Sequence, residues 1–203
     1  MDTRTDEALL TAYRKGDENA LEVVIRRYHD DLMRFLLRLV GNRAGAEDVF
    51  QETFLQIHTS ASTFDTSRRF KPWLFTIAAN KGRDHLRRSI RRRALDLSAP
   101  VGGGGGGGED GTTFVDLLEI DIPQPSQGTD DDERDRTVQQ AIDGMPDILR
   151  EVLLLAYFQR MSYNQVAEAL EIPLGTVKSR LHAAVGLFAK RWKAAREASA
   201  ANE

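Results

Sequence analysis

The chain contains no cysteine, which excludes disulfide bridges and thiolate metal sites and suits a reducing, cytoplasmic setting. Its four histidines, His29, His58, His85 and His182, are scattered and lack the spacing of metal ligands. Long apolar runs are missing too. The longest, near Val152 to Phe158, is far too short to cross a bilayer, so no membrane partner is expected. The N-terminus, MDTRTDEALL, is acidic and without an apolar core, unlike a secretory signal. No segment alternates with period two, so strands are not expected either. Net charge is almost absent, at −3 over 203 residues, but that average hides a pattern. Residues 1–95 carry 18 Lys/Arg against 13 Asp/Glu, residues 96–133 carry none against 10, and residues 134–203 carry 10 against 8. Two basic lobes therefore flank an acidic strap.

The clearest positive feature is SYNQVAEALEIPLGTVKSRLHAAVGLFAKRW, from Ser162 to Trp192. Ser162 and Gln165 have capping-box spacing, so a helix starts there. Val166, Ala167 and Leu170 follow at helical spacing, and Pro173 and Gly175 punctuate a turn, with Ile172 between as an apolar plug. Val177, Leu181, Val185 and Phe188 then form an inward stripe. This is a helix-turn-helix. Thr176, Lys178, Ser179, Arg180 and His182 lie off the stripe, on turns that can enter a major groove. An ordinary helical hairpin with a solvated face shares part of this pattern, but not capping, turn and stripe together.

The densest charge lies between Arg68 and Arg93, with ten Lys/Arg against the single acid Asp84. Such a stretch reads as a phosphate-binding surface, with a merely solvated basic helix as the plainer alternative. On its helix Thr76, Asn80, Arg83 and Arg87 share one face, with Lys71 and Arg88 nearby, while Leu74, Ile77 and Ala78 share another. Asn80 can pair with a base edge. The preceding loop, SASTFDTSRRF, places Phe64 and Phe70 among hydroxyls, a mixture suited to unstacked bases or, more plainly, to two core rings. Further upstream, Ala46, Val49, Phe50, Thr53, Phe54 and Ile57 form an inward stripe. The opposite face holds Glu47, Asp48, Gln51, Glu52, Leu55 and Gln56. DNA would repel that face; a basic protein partner would not.

These patterns predict an all-α chain of two small helical domains, 1–95 and 134–203, joined by a flexible acidic, Gly-rich linker over 96–133. Seven consecutive glycines, Gly102 to Gly108, cannot offset their ordering entropy by burial. The apolar residues between Phe114 and Ile122 read equally as a docking segment or as part of a disordered tether. No convergent acid–base set is present, so catalysis, a cofactor and a small-molecule substrate are not expected.

In order along the chain, AEDVFQETFLQI, KPWLFTIAANKGRDHLRR and SYNQVAEALEIPLGTVKSRLHAA together resemble bacterial sigma factors of the extracytoplasmic-function type. The resemblance implies a transcription initiation factor that binds core RNA polymerase through its β and β′ subunits, and binds promoter DNA. It implies that Asp48, Gln51, Glu52 and Leu55 contact polymerase, and that Phe64, Lys71, Asn80, Arg83, Arg87 and Arg88 engage the −10 element. It further implies that Thr176, Lys178, Ser179, Arg180 and His182 read the −35 element as duplex. Many such factors are held by an anti-sigma protein, a further partner that no residue here identifies. Two departures stand out: Ala183 where the family often has a basic residue, and the glycine run. A 38-residue strap has a relaxed span of about 35 Å, against roughly 125 Å drawn out. Elements two or more helical turns apart would need it extended on a large scaffold. The competing class is a stand-alone helix-turn-helix regulator, against which no dimerisation heptad or effector pocket is evident.

Overall fold

The computed structural model describes residues 2–97 and 131–200, and every element within them is helical. The glycine run and the apolar segment 114–122 lie outside the described residues. Four helices make the first lobe: α1 (Asp6–Arg14), α2 (Glu18–Val40), α3 (Arg43–Ser60) and α4 (Phe70–Leu97). The second lobe holds α5 (Asp131–Asp143), α6 (Asp147–Leu153), α7 (Tyr163–Leu170) and α8 (Leu174–Ala200). Helices α4 and α5 thus run slightly into the stretch expected as linker.

Local chemistry sets most boundaries. The Thr5 hydroxyl caps α1 by accepting from the Ala8 amide at 3.2 Å. Gly41 ends α2 in the left-handed region at φ 80°. One residue later the Asn42 side chain accepts from the Gly45 amide at 2.8 Å and opens α3. Gly45 also lets α3 cross its neighbours closely: a Cβ there would stand 2.7 Å from both His85 Nε2 and Val40 Cγ1. Ala46, Val49, Thr53, Phe54 and Ile57 are buried as their spacing requires, with Phe50 half-buried at the rim.

Phe35 meets Phe75 edge-on at 5.2 Å, and Phe70, Leu74, Ala78 and Ala79 complete the face of α4 turned towards α2 and α3. Each fully buried large apolar side chain contributes roughly 1.5–3 kcal/mol. Phe64 follows the plainer of its two readings: it is 5% exposed, and its ring lies 4.5 Å from Trp73 and 6.2 Å from Phe70. Burial outcompetes display for this ring, since two aromatic neighbours stand within reach.

In the second lobe the capping box forms: the Ser162 hydroxyl accepts from the Gln165 amide, and the Gln165 side chain accepts from the Ser162 amide. Glu171, at φ 55°, makes the left-handed turn, so Gly175 falls inside the first turn of α8 rather than in the bend. Val177, Ala184, Val185 and Phe188 are buried, and Leu181 is half-buried. Ser162→Ala should cost about 1 kcal/mol. Thermal melting should fall by roughly 2–4 °C.

The helix expected over 147–159 is α-helical only to Leu153 and widens into a π turn over Leu154–Phe158. That widening lays the Phe158 ring against Arg38, whose guanidinium carbon is 4.4 Å from the ring centre. The next residue, Gln159, is turned towards α2, where its side chain donates to the Asp31 carbonyl at 3.0 Å. The two lobes pack directly on one another, α7 against α4 and the π turn against α2. Their apolar residues form one continuous core.

Candidate nucleic-acid interface

Helix α3 presents the acidic face expected of it. Asp48, Gln51 and Leu55 are exposed, Leu55 by 64%, and Glu52 is partly covered. These four, with His85 and Arg88 of α4, line one shallow depression. An exposed leucine within a polar, acidic rim is the layout of a protein-docking surface with an apolar centre.

Arg88, expected at the −10 element, also makes a contact within the first lobe. Its Nη2 donates to both carboxylate oxygens of Glu52, at 3.1 and 3.2 Å, so it braces the acidic face of α3. Arg87 stays exposed, with only a loose approach of 3.9 Å to Asp84. Lys81, Arg87, Arg88 and Arg91 converge with Asp84 and Glu52 on a second depression, and the cations dominate it.

On the neighbouring face of α4, Asn80 is exposed and its side-chain oxygen accepts from Arg83 Nη2. Arg83 Nε in turn faces Glu151 Oε1 at 3.2 Å, across the boundary between lobes. Lys71 is half-buried and donates from Nζ to the Gln159 carbonyl at 2.9 Å; that burial lowers its pKa. The 58–70 loop keeps Thr66, Ser67, Arg68 and Arg69 at the surface beside Lys71 and Gln165, although both its phenylalanines point inward. The loop's exposed chemistry is thus hydroxyl, guanidinium and the Asp65 carboxylate rather than phenyl.

On α8, Lys178 and Ser179 are exposed and Thr176 is half-exposed, all within the first two turns. The Ser179 hydroxyl donates to the Thr176 carbonyl at 3.1 Å. Arg180 and His182 are half-buried. The structure therefore brings the α3 set together, brings Asn80 and Arg83 together, and aligns the α8 set along one helix. Sequence reasoning missed Arg150, Glu151, Gln159 and Glu168, which meet the first lobe from the second. The one signal was a charged pair, Arg150-Glu151, standing directly before an apolar run.

Known proteins match this chain over both lobes. Sigma-70 region 2 matches residues 24–93, and Sigma-70, region 4 matches residues 135–186. The ECF RNA polymerase sigma factor SigW of Bacillus subtilis is 34% identical over 169 residues, covering 83% of this chain and 87% of that protein. The RNA polymerase sigma-H factor of Pseudomonas aeruginosa is 31% identical over 178 residues, covering 87% of this chain and 88% of its own. The sigma factor RpoE of Bartonella quintana, solved in complex with the anti-sigma factor NepR, superposes with a TM-score of 0.64. That match spans 85% of this chain and 96% of RpoE at 21% identity, a likeness of fold. These matches favour an initiation factor over a stand-alone regulator. The chain belongs to the ECF sigma factors, non-enzymatic initiation subunits that bind core RNA polymerase and promoter DNA.

Proposed function

We propose a division of labour among three helices. Asp48, Gln51, Glu52 and Leu55 of α3 dock on core polymerase, with Arg88 bracing Glu52. Asn80, Arg83 and Arg87 of α4, with Lys71 and the backbone and polar groups of the loop around Phe64, hold the −10 element. Thr176, Lys178, Ser179, Arg180 and His182 of α8 read the −35 element. In this scheme residues 1–95 and 134–203 are the working domains and 96–133 the linker that spans polymerase between them. The chain acts where core polymerase is, in the cytoplasm. RpoE of Bartonella quintana is bound by an anti-sigma protein, and we extend a partner of that class to this chain.

The observation that carries the scheme is the separation of charge on the first lobe. Acids ring an exposed leucine on α3, whereas cations and one exposed amide occupy α4. One surface repels DNA and the other attracts it. An amide offers both a donor and an acceptor, so Asn80 can match a base edge that presents both, whereas arginine offers donors only.

The α8 assignment is tested by Lys178→Ala and Arg180→Ala in the holoenzyme. Lys178→Ala should weaken duplex binding similarly across promoter sequences and lower the salt slope by about one. Arg180→Ala should cost about 1–3 kcal/mol and relax preference at particular −35 positions. Unchanged affinity and sequence preference in both would remove α8 from the −35 element.

A further inference from the structure

The scheme above gives the 58–70 loop a part in holding the −10 element, yet gives helix α1 no task. That helix precedes the residues matched to Sigma-70 region 2. Its side chains nevertheless reach the loop at three places. The Tyr13 hydroxyl meets Nδ1 of His58, where the segment begins. Arg14 Nη1 donates to the Phe64 carbonyl at 3.3 Å, and the Phe70 amide donates to Glu7 Oε1 at 2.9 Å. Phe64 and Phe70 are also the points at which the loop buries its two phenyl rings.

Between those two pins the chain closes a turn of its own. The Asp65 side chain accepts from the Ser67 amide at 2.9 Å, and the Arg68 amide donates to the Asp65 carbonyl at 3.0 Å. The exposed crown, Thr66 to Arg69, thus rests on feet that α1 holds on either side. Helix α1 is itself fixed. Leu9 and Leu10 are fully buried, and from α2 the Tyr28 hydroxyl donates to Asp6 at 2.5 Å while Arg27 donates to the Arg4 carbonyl at 3.1 Å.

We propose that α1 is a brace for the −10 loop, with Glu7 and Arg14 as its positioning residues. They hold the 65–68 turn in the shape that accepts unpaired bases, and so set how sharply one base is preferred over another. This rests on the assignment of the loop to the −10 element. A turn ordered before the strand arrives is spared that ordering cost on binding. Freeing the backbone of one residue there costs roughly tenfold in affinity. A loop free to rearrange also accommodates the wrong base, as adaptable surfaces do.

Glu7 has the wrong sign to hold DNA directly. It lines a depression with Ser67, Arg68, Arg69 and Lys71, where a carboxylate repels phosphate. Charge alone would make Glu7→Ala bind the strand more tightly. The brace makes it bind more weakly and with less selectivity, so the two effects have opposite signs.

The test uses holoenzyme assembled from purified core polymerase and the full chain. The probe is a labelled single-stranded oligonucleotide carrying the non-template −10 sequence of a promoter at which the chain directs starts, beside versions with one base changed. Glu7→Ala and Arg14→Ala should each lower the preference for the unchanged oligonucleotide by about tenfold. Glu7→Gln keeps an oxygen for the Phe70 amide while losing the charge, and should restore the preference. The salt slope of Arg14→Ala should match that of the original chain, whereas an arginine on a phosphate would lower it by about one. A Glu7→Ala holoenzyme that binds as selectively as the original, or more tightly, would overturn the brace. Arg69→Ala separates this from the underlying assignment. If Arg69→Ala weakens binding and the α1 variants do not, the loop keeps its place at the −10 element and the brace alone fails. If all of them leave binding unchanged, the loop's assignment fails and the brace with it.

Discussion

Alanine at Asp48, Gln51 and Glu52 together is expected to weaken binding to core polymerase by about a hundredfold or more. The three side chains lie on the outer face of α3, while the inner stripe that anchors this helix is untouched. Interface side chains that matter typically cost about 1–2 kcal/mol on truncation. Three of them reach about 3 kcal/mol, and each 1.4 kcal/mol is about tenfold. Removing two carboxylates should also slow association most strongly at low salt, because rim charges act through steering. Glu52 is a special case, since its loss also frees the Arg88 guanidinium. Arg88→Ala should therefore weaken polymerase binding by a smaller factor, and its effect should vanish in a Glu52→Ala background. Titration of labelled chain with purified core, with circular dichroism confirming the fold, measures all of this. Unchanged affinity of the triple variant would remove α3 from the polymerase interface.

Asn80→Ala is expected to slow promoter opening by about ten- to a hundredfold, the worth of one good amide–base pair at 1–3 kcal/mol. Initial binding to duplex promoter should change little, because phosphate contacts supply most of that affinity. Arg83→Ala should behave differently, lowering duplex affinity and its salt slope as well as opening. Strand separation followed by 2-aminopurine fluorescence, beside equilibrium binding at several salt concentrations, distinguishes the two. An Asn80→Ala variant impaired equally in both steps would contradict base capture by this residue.

Features written in local chemistry are legible in the sequence itself. The Ser162–Gln165 box, the Gly41 stop and the inward stripes of α3 and α8 depend on neighbours within a few turns, and each forms. The outward leucine on α3 is legible for the same reason, since periodicity alone places it opposite the buried stripe. Other features depend on what arrives from far along the chain. Phe64 is buried because Trp73 and Phe70 come to cover it. Arg88 pairs with Glu52, 36 residues away, at the border of the cationic depression. The bend before α8 uses Glu171, a residue without special freedom at positive φ, so turn statistics point to Gly175 instead. Least legible is the packing of one lobe on the other. Its buried carboxylate, guanidinium and amide read in the sequence as ordinary helix polars.

This chain gives core polymerase a promoter preference that polymerase lacks alone. Purified core polymerase, with and without the chain, should be offered a library of genomic fragments and the start sites mapped. Transcripts that appear only when the chain is present, from starts sharing paired upstream elements, are the predicted result. A set of starts identical with and without the chain would contradict it.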